Sequence, residues 1–294
     1  MPNLKEIRNR IQSVGSTMQI TSAMKMVSAA KLKRAQDAVT QMRPYANKLK
    51  EILENVSSSL DLSENAFAEQ RSTGKILLVG ITSNRGLCGG FNNNVIKRVS
   101  SLIQNEYKND QIKVLCLGKK IKDVYKRTDH YFNYSGLENV ENVFGDLTYE
   151  KVSSIAESLM NIFSSKEFDK IVLVYNRFVN AATQSLETEQ YLPINPKVSN
   201  ENSSEGLSTD YIFEPSKEEI VRDLIPNSLK LQLFKALRDS FAAEHGARMT
   251  AMHKATDNAK ELQKTLKLSY NKARQAAITN EILEIVGGAE ALNA

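Results

Sequence analysis

The sequence contains no tryptophan, two cysteines and three histidines. Cys88 and Cys116 are far apart and form no CxxC pair, which argues against a disulfide framework or a cysteine metal site and suits a reducing compartment. His245 and His253 lie eight residues apart, whereas two metal-binding histidines on one helix normally use i and i+4 positions. We therefore predict no metal site.

Long apolar runs are also missing. The longest ones, such as Ile76 to Val79 and Ile171 to Tyr175, are far shorter than the roughly 20 residues that a helix needs to cross a bilayer. The amino terminus, MPNLKEIRNR, lacks the apolar segment of a signal peptide. We therefore expect a soluble protein.

Motifs for nucleotide binding and catalysis are absent as well. The segment 83–94, SNRGLCGGFNNN, follows a predicted strand, where doubly wound folds bind phosphate, but its glycines do not form GxGxxG. No GxxxxGKS or GxxxxGKT motif occurs in the chain. A tight turn or a partner-binding surface is favoured at 83–94 over a nucleotide site. No nucleophile motif surrounds Cys88 and no acid–base pair stands out, so we predict no catalytic residue and no cofactor.

What the sequence does contain is helical periodicity at both ends. From residue 4 to residue 60, mostly apolar residues recur at alternating spacings of three and four, the pattern by which a coiled-coil helix packs against a partner. The positions of this seam are Leu4, Ile7, Ile11, Val14, Met18, Thr21, Lys25, Ser28, Leu32, Ala35, Val39, Met42, Ala46, Leu49, Leu53, Val56 and Leu60. At 1.5 Å per residue the helix would be roughly 85 Å long, so we predict an arm or a shaft.

The same spacing, counted from Met252, continues towards the carboxyl terminus. Its positions are Ala255, Ala259, Leu262, Leu266, Ser269, Ala273, Ala276, Asn280 and Leu283. Small residues are prominent among them, and small residues allow two helices to approach closely. We predict that the two terminal helices pair antiparallel within one chain; pairing between two chains, in a long homodimer, is the alternative.

The amino-terminal seam becomes polar at Thr21, Lys25 and Ser28, where a second apolar stripe runs beside it. The stripe consists of Ile20, Met24 and Val27. Either another molecule wraps this part of the helix or the register of the coil shifts there. Two prolines interrupt the helical patterns: Pro44 predicts a bend near 40–44, and Pro226 predicts a break or a kink at the entry into the final long helix.

Short β-prone runs alternate with helical segments in the middle of the chain. The predicted strands are 76–83, 112–118, 130–134 and 170–178, and the predicted helices are 91–107, 119–127 and 148–163. This alternation indicates a parallel sheet covered on both faces, to which 184–194 and 210–214 add antiparallel strands. The predicted fold class is therefore α/β, a long antiparallel coiled coil of N- and C-terminal helices plus a central Rossmann-like α/β domain. The predicted segments are 1–60, 74–214 and 216–294.

Positive charge is concentrated in the first helix. Residues 1–50 carry ten Lys or Arg and two acidic residues, a net charge of +8, whereas the whole chain has +5. A basic helix can bind nucleic acid, anionic lipid or an acidic protein surface, or it can simply remain solvated. Tyr45 is the one aromatic residue in this segment, so a base-stacking platform is absent and nucleic acid is disfavoured.

Three stretches of the sequence resemble the gamma subunits of F-type ATP synthases. They are LKEIRNRIQSVGSTMQITSAMKMVSAAKLKRAQ at 4–36, RGLCGGFN at 85–92 and ITNEILEIVGGAEA at 278–291, and the resemblance extends over essentially the whole chain. It implies a rotor without an active site of its own. In that family the terminal helices form an antiparallel coiled coil inside a ring of three alpha and three beta subunits. The α/β body meets the epsilon subunit and the membrane c ring, at the cytoplasmic face of the bacterial plasma membrane.

The resemblance also implies partner contacts for individual residues. Contacts with beta subunits are expected at Met24, Arg85, Cys88, Arg248, Arg274, Gln275 and Thr279. Contacts with the c ring and epsilon are expected at Tyr211, Phe213 and Glu214, where Phe213 replaces a tyrosine common in the family. The inserted cysteine pair of plastid members is absent, so redox control through it is not expected.

Two other functions are compatible with the pattern. One is an α/β protein that dimerises through helical arms and binds a small molecule at 83–94. The other is a structural coiled-coil protein whose basic arm binds a membrane or nucleic acid.

Overall fold

The computed structural model describes residues 4–57, 66–71, 74–137, 139–194 and 217–293. The chain divides into two compact units, one formed by residues 1–29 and 248–294 and the other by residues 30–247. Two long helices, α1 (Leu4–Ser57) and α5 (Lys217–Asn293), contribute segments to both units. No helix in the described ranges is both long enough and apolar enough to cross a membrane.

The larger unit is built on a four-stranded sheet with the strand order β2-β1-β3-β4. The strands are β1 (Lys75–Ile81), β2 (Gln111–Leu117), β3 (Lys170–Phe178) and β4 (Gln184–Leu192). The first three are parallel, and β4 pairs antiparallel with β3. The predicted parallel sheet with an antiparallel addition at 184–194 is therefore confirmed; 210–214 lies outside the described residues.

Helices cover both faces of this sheet because side chains of each strand alternate between the faces. The helices are α2 (Phe91–Ser101), which continues as a π-helical turn at Leu102–Glu106, α3 (Lys119–Tyr125) and α4 (Tyr149–Ser164), and a 3-10 helix spans Val140–Gly145. Leu77, Val79 and Ile81 pack with α4 and with the first part of α5. Ile76 and Leu78 pack on the other face, with α2 and α3.

The predicted strand at 130–134 is wrong. Tyr131 forms an isolated parallel bridge with Val114, and the neighbouring hydrogen bonds run from the Val114 amide to the His130 carbonyl (2.7 Å) and from the Phe132 amide to the Val114 carbonyl (3.0 Å). The chain then turns at Gly136, whose φ is +105°. This short segment borders β2 at the edge of the sheet.

Neither internal proline ends its helix. Pro44 lies inside α1 and Pro226 inside α5. Of the break or kink predicted at Pro226, the break does not occur. A proline inside a helix costs about 3 kcal/mol, but Ile225, Leu229 and Leu233 of the same helix are buried in the sheet core, and burial of one such side chain contributes about 1.5–3 kcal/mol.

In the smaller unit, the first part of α1 pairs antiparallel with the last part of α5. The Arg8 guanidinium donates to the Tyr270 hydroxyl at 2.8 Å, Gly15 lies against Gln263, and the Thr256 hydroxyl donates to the Thr21 hydroxyl at 2.8 Å. Residue numbers rise along α1 as they fall along α5, which confirms antiparallel pairing within one chain.

The burial along α1 follows the predicted seam. Ile7, Thr21 and Ser28 are buried in the smaller unit, and Leu32, Ala35, Val39 and Leu49 are buried in the larger one. The remaining seam positions up to Met42 are half-buried. The burial of the seam positions Ala46, Leu53 and Val56 is outside what the structure describes, and Leu60 lies outside the described residues.

The seam predicted for the carboxy-terminal helix is half right. Met252 and Ala259 are buried and Ala255, Leu266 and Ala273 are half-buried, but Leu262 is 49% exposed. Ser269, Ala276, Asn280 and Leu283 are exposed as well. The observed seam passes instead through Thr256, Gln263, Tyr270 and Ala277. From Met252 the observed spacing begins with a step of four residues, whereas the predicted one begins with three. Polar side chains occupy three of the four positions that the steps of four reach.

Candidate functional site

The second stripe of α1 is largely exposed. Ile20 is 59% exposed and Val27 58%, while Met24 between them is half-buried. Met26 is 63% exposed. The pairing with α5 keeps one register from Arg8 to Thr21, so a register shift does not account for the stripe up to that point. Exposed apolar side chains gathered on one stretch of helix indicate a surface that another molecule covers.

An open groove lies beside this stripe. Met18, Gln19, Ser22, Ala23 and Met26 of α1 line it together with Thr256 of α5. Its lining is mainly apolar and carries no ionisable side chain. Such a groove is suited to protein contacts more than to enclosing a polar small molecule.

Beyond α1, the last part of α5 continues as a single helix. Because Arg8 lies beside Tyr270, the first described residue of α1, Leu4, lies opposite α5 near residue 274. All residues from 278 to 289 are exposed. The large apolar ones among them are Ile278, Ile282, Leu283, Ile285 and Val286. A single helix that exposes this much apolar surface needs a binding partner that covers it.

In the larger unit, the loop after β1 is held together by its own side chains. The Ser83 hydroxyl donates to the Arg85 carbonyl at 2.5 Å, and the Asn92 amide group donates to the Cys88 sulfur at 3.1 Å. Asn92 Oδ1 accepts the backbone amide of Ser83 at 2.9 Å. Cys88 itself is 2% exposed and packs with Phe91 and Phe178 and with Ala243 and Ala247 of α5.

The same loop occupies the amino terminus of α3. The backbone amide of Lys119 donates to Asn84 Oδ1 at 3.0 Å, that of Lys120 to the Ser83 carbonyl at 3.2 Å, and that of Ile121 to the Thr82 hydroxyl at 3.1 Å. These are the amides that would otherwise bind an anion at a helix terminus. These bonds hold the loop after β1 against the start of α3.

Apart from half-buried Met24, the residues expected to contact beta subunits fall into two groups. Arg85, Arg274, Gln275 and Thr279 are exposed, and the Thr279 hydroxyl donates to the carbonyl of Gln275 at 2.9 Å. Cys88 and Arg248 are buried within this chain, at 2% and 7% exposure. A partner would therefore meet the backbone around Cys88 more readily than its thiol.

Tyr211, Phe213 and Glu214 lie outside the described residues. His245 packs edge-on against the ring of Phe241, with centroids 4.5 Å apart, and His253 pairs on the surface with Asp257 at 3.3 Å. Across the parts of the chain that the structure describes, no group of three or more His, Cys, Asp or Glu side chains could hold a metal ion.

Sequence reasoning missed two features of these surfaces. One is Leu87, which is 65% exposed in the loop after β1. The other is the exposed apolar set on the single-helix part of α5, since the predicted seam assigned Leu283 to a helix contact. For Leu87 the sequence does contain a signal, since this leucine stands alone among glycines.

Comparison with known proteins gives matches over the full length of the chain. The family model described as ATP synthase matches residues 3–292. The ATP synthase gamma chain of Flavobacterium johnsoniae is 62% identical over 294 residues and that of Christiangramia forsetii 59%, each match covering 100% of both chains. The gamma chain of Cytophaga hutchinsonii is 51% identical over 300 aligned positions, again covering 100% of both.

Solved structures share the fold at lower identity. A rotor chain of the Euglena gracilis mitochondrial ATP synthase superposes with a TM-score of 0.62 at 19% identity, covering 94% of this chain and 98% of that one. A chain of the central stalk and c-ring structure from Tetrahymena thermophila gives a TM-score of 0.55 at 24% identity, covering 80% of this chain and 99% of that one.

Proposed function

This chain belongs to the ATP synthase gamma chain family, and from that premise we propose that it is the central rotor shaft of an F-type ATP synthase. It couples proton-driven rotation of a membrane c ring to ATP synthesis or hydrolysis on a ring of alpha and beta subunits, and it is itself non-catalytic. The observation that carries the proposal is the match to gamma chains at about 60% identity over the whole length.

The paired helices supply the physical basis for coupling. A two-helix rod has no threefold symmetry, so three identical catalytic subunits around it would meet different surfaces. One such surface is apolar, at Ile20 and Val27; another, on α5, exposes Lys260, Lys264 and Lys267. Each rotational position then favours a different set of catalytic conformations, because the contacts differ between subunits.

The charge of the rod favours smooth rotation. Residues 4–29 carry four basic side chains and one acidic side chain, and attraction between a basic surface and acidic ring segments varies slowly with distance. Small displacements therefore change the interaction energy little. An apolar anchor buried in a fitted pocket would resist rotation far more strongly.

The expected contacts form part of the proposal. Beta subunits would meet Met24, Arg85 and Cys88, and at different levels of the rod they would meet Arg248, Arg274, Gln275 and Thr279. The exposed apolar part of α5 is suited to being enclosed by the ring of alpha and beta subunits. Tyr211, Phe213 and Glu214 would meet the c ring and epsilon. The chain would associate with the cytoplasmic face of the bacterial plasma membrane peripherally, through the complex, and 1–60, 74–214 and 216–294 would be its functional segments.

Co-purification tests the proposal. The tagged full chain is co-expressed with the alpha and beta chains of the same organism, and native mass spectrometry should give a 1:3:3 assembly that hydrolyses ATP. A matched variant ending at residue 274 removes the single-helix part of α5 while retaining the paired part, and it should assemble less stably. A stable homodimer that ignores alpha and beta chains and binds nucleotide in isothermal titration would contradict the proposal.

A further inference from the structure

The smaller unit buries few large apolar side chains of its own. In its described parts, Ile7 and Met252 are the buried ones, each 5% exposed. The other buried residues there are small or polar, namely Thr21, Ser28, Arg248 and Ala259. None of the described residues from 260 to 289 is buried. Because most of the stability of a helix comes from the packing of one apolar face, this unit has little to hold it together.

One of the two rows of residues in the seam between the paired helices is polar. Its positions on α5 are seven residues apart, and each of them faces a residue of α1. The pairs are Thr256 with Thr21, Gln263 with Gly15, and Tyr270 with Arg8.

This polar row resists separation of the helices only weakly. The bond between Arg8 and Tyr270 is exposed, and a hydrogen bond that water can replace contributes little net stability. If the helices separate, the Thr21 and Thr256 hydroxyls keep acceptors in their own helices, which are the carbonyls of Met18 and Met252. The polar row therefore sets the register of the pair but costs little to open.

The exposed apolar residues near the end of α5 do not strengthen the pairing. If the seam rows are carried forward by seven residues, they reach Ala277, Asn280, Glu284 and Gly287. The exposed apolar residues at i, i+4, i+7 and i+8 form a separate stripe, which consists of Ile278, Ile282, Ile285 and Val286. At about 100° per residue, this outward stripe lies on the side of α5 opposite the seam. Helix α1, which lies along the seam, therefore leaves the outward stripe uncovered.

The larger unit, by contrast, has a core on each face of its sheet. On β1 alone, Ile76, Leu77, Leu78 and Val79 are 0% exposed, and they divide between two clusters of buried residues. The backbone amides of such a core open to solvent only at free energies close to that of global unfolding, whereas weakly packed elements open far more readily. The two units should therefore differ widely in how often their amides are exposed.

We propose that the paired helices of the smaller unit open and close readily in the unassembled chain, and that enclosure by the ring of alpha and beta subunits suppresses this opening. The inference rests on the proposed function, because the ring supplies the enclosing surface. Binding to the closed state alone, across the outward stripe, shifts the equilibrium towards that state. The rod thus becomes stiff enough to transmit torque on assembly, while the α/β body is folded beforehand.

Amide hydrogen exchange measures this opening in the free full chain and in the purified 1:3:3 assembly. In the free chain, peptides from 8–24 and 256–273 should have protection factors at least about 100-fold lower than peptides from β1 and β3. In the assembly, the protection factors of these rod peptides should rise at least about 100-fold, whereas those of β1 and β3 should change less than about threefold. Rod peptides as well protected as the strands in the free chain would overturn the inference.

A covalent clamp distinguishes opening of the pair from fraying of each helix by itself. Because the hydroxyls of Thr21 and Thr256 are 2.8 Å apart, cysteines at these two positions are close enough to form a disulfide. In the free chain of the variant Thr21→Cys/Thr256→Cys, oxidation should raise the protection factors of the rod peptides at least about tenfold over those of the reduced form, the matched control. In the assembly the two forms should agree within about twofold. No gain in the oxidised free chain, or an equal gain in the assembly, would refute the proposal.

The free chain and the assembly distinguish the inference from the rotor function. If the rod is as protected as the strands in the free chain, the inference is wrong and the rotor function is unaffected. If the assembly forms but the rod peptides inside it stay unprotected, the ring does not order the rod, and the inference is again the part that fails. If the free rod opens but alpha and beta chains do not assemble with the chain, the rotor function is wrong and the inference falls with it.

Discussion

The hydroxyl of Thr256 lies 2.8 Å from the hydroxyl of Thr21 across the paired helices α1 and α5. The Thr21 hydroxyl also lies 3.1 Å from the Met18 carbonyl of its own helix, and the Thr256 hydroxyl lies 2.8 Å from the Met252 carbonyl. Because each hydroxyl donates one proton, two of these three hydrogen bonds form at a time. Thr21 is 8% exposed, so this polar pair is enclosed in the seam. Paired polar side chains within an apolar seam specify which positions lie opposite each other.

Removal of either hydroxyl should weaken the pairing slightly. We expect Thr21→Val and Thr256→Val each to destabilise the chain by about 0.5–1 kcal/mol, because the remaining hydroxyl still bonds its own helix. The double variant should lose less than the two single losses combined. Urea titrations of the full chain, followed by circular dichroism, measure all three; strictly additive losses would show that the two hydroxyls do not interact.

The corrected seam of α5 makes a prediction about two leucines. Leu262 is 49% exposed and Leu266 is half-buried. Leu262→Lys should change the free energy of unfolding by less than about 0.5 kcal/mol, whereas Leu266→Lys should reduce it by about 1–2 kcal/mol. The two variants introduce the same side chain one helical turn apart and are compared by thermal unfolding. Equal losses would contradict the observed seam.

Gly118 should tolerate no side chain. Its φ is +117°, and an added Cβ would lie 2.0 Å from the backbone carbonyl oxygen of Thr82. Gly118→Ala should therefore destabilise the larger unit by about 3 kcal/mol or more, since backbone must move. Gly145→Ala is the control, with an expected change below about 0.5 kcal/mol. Differential scanning calorimetry would reveal the difference, and similar Tm values for both variants would be inconsistent with this geometry.

The ion pair between Lys122 and Glu141 should make stability depend on pH. Their charged atoms are 2.6 Å apart. Burial acts to raise the pKa of Glu141, but the hydrogen bond and positive charge of Lys122 outweigh it, and the pKa is lowered. The resulting stabilisation is present above the unfolded pKa of about 4.3 and is lost as pH falls through the lower folded value. The hydrogen bond to Glu141 is the main reason why the pKa of Lys122 is raised. The contribution of Lys122 to stability is therefore complete below about pH 10.4 and is lost at higher pH.

Substitution of this carboxylate tests the linkage. Glu141→Gln should lower stability at pH 7 by about 1–2 kcal/mol and should flatten its decrease at acidic pH. Asp146→Asn breaks an ion pair with Lys151 in which both side chains are more than half exposed, and it should cost less than about 0.5 kcal/mol. The free energy of unfolding of both variants is measured from pH 3 to pH 8. If it changed with pH in Glu141→Gln as it does in the parent, the ion pair would not be the source of the pH dependence.

Cys116 should be unreactive in the folded chain. Burial raises the pKa of its thiol to about 12, so on the order of one molecule in ten thousand carries the thiolate at pH 8. In the variant Cys88→Ser, which leaves Cys116 as the sole thiol, iodoacetamide should label the native chain very slowly and the urea-unfolded chain fully. Mass spectrometry quantifies both; rapid labelling of the native chain would contradict the burial.

The two seams show what apolar patterning can predict. Along α1, most seam residues are apolar, so counting from Leu4 found the buried positions. Along α5, the buried face contains Thr256, Gln263 and Tyr270, whose polar groups hide them from such counting, and exposed Leu262 was chosen in place of Gln263. Which polar residues can be buried depends on the facing helix. The pattern of one helix alone does not show which side chains face it.

Tertiary packing also overrode local signals elsewhere. Pro226 reads as a helix break, yet α5 passes through it because Ile225 and Leu229 are buried on the sheet. The strands β1 and β3 were predictable since they are apolar on both faces. Tyr131 was assigned to a strand from local β-propensity, which does not reveal how far pairing with β2 extends.

The register of the paired helices also limits how such chains can change length during evolution. Arg8 contacts Tyr270 and Thr21 contacts Thr256, so the two residue numbers of each pair add up to nearly the same value. One residue inserted between them in α1 would rotate everything beyond it by about 100° around the helix axis. Heritable insertions and deletions should therefore accumulate in the connections of the larger unit, and within the rod they should survive only as whole heptads gained or lost by both helices together.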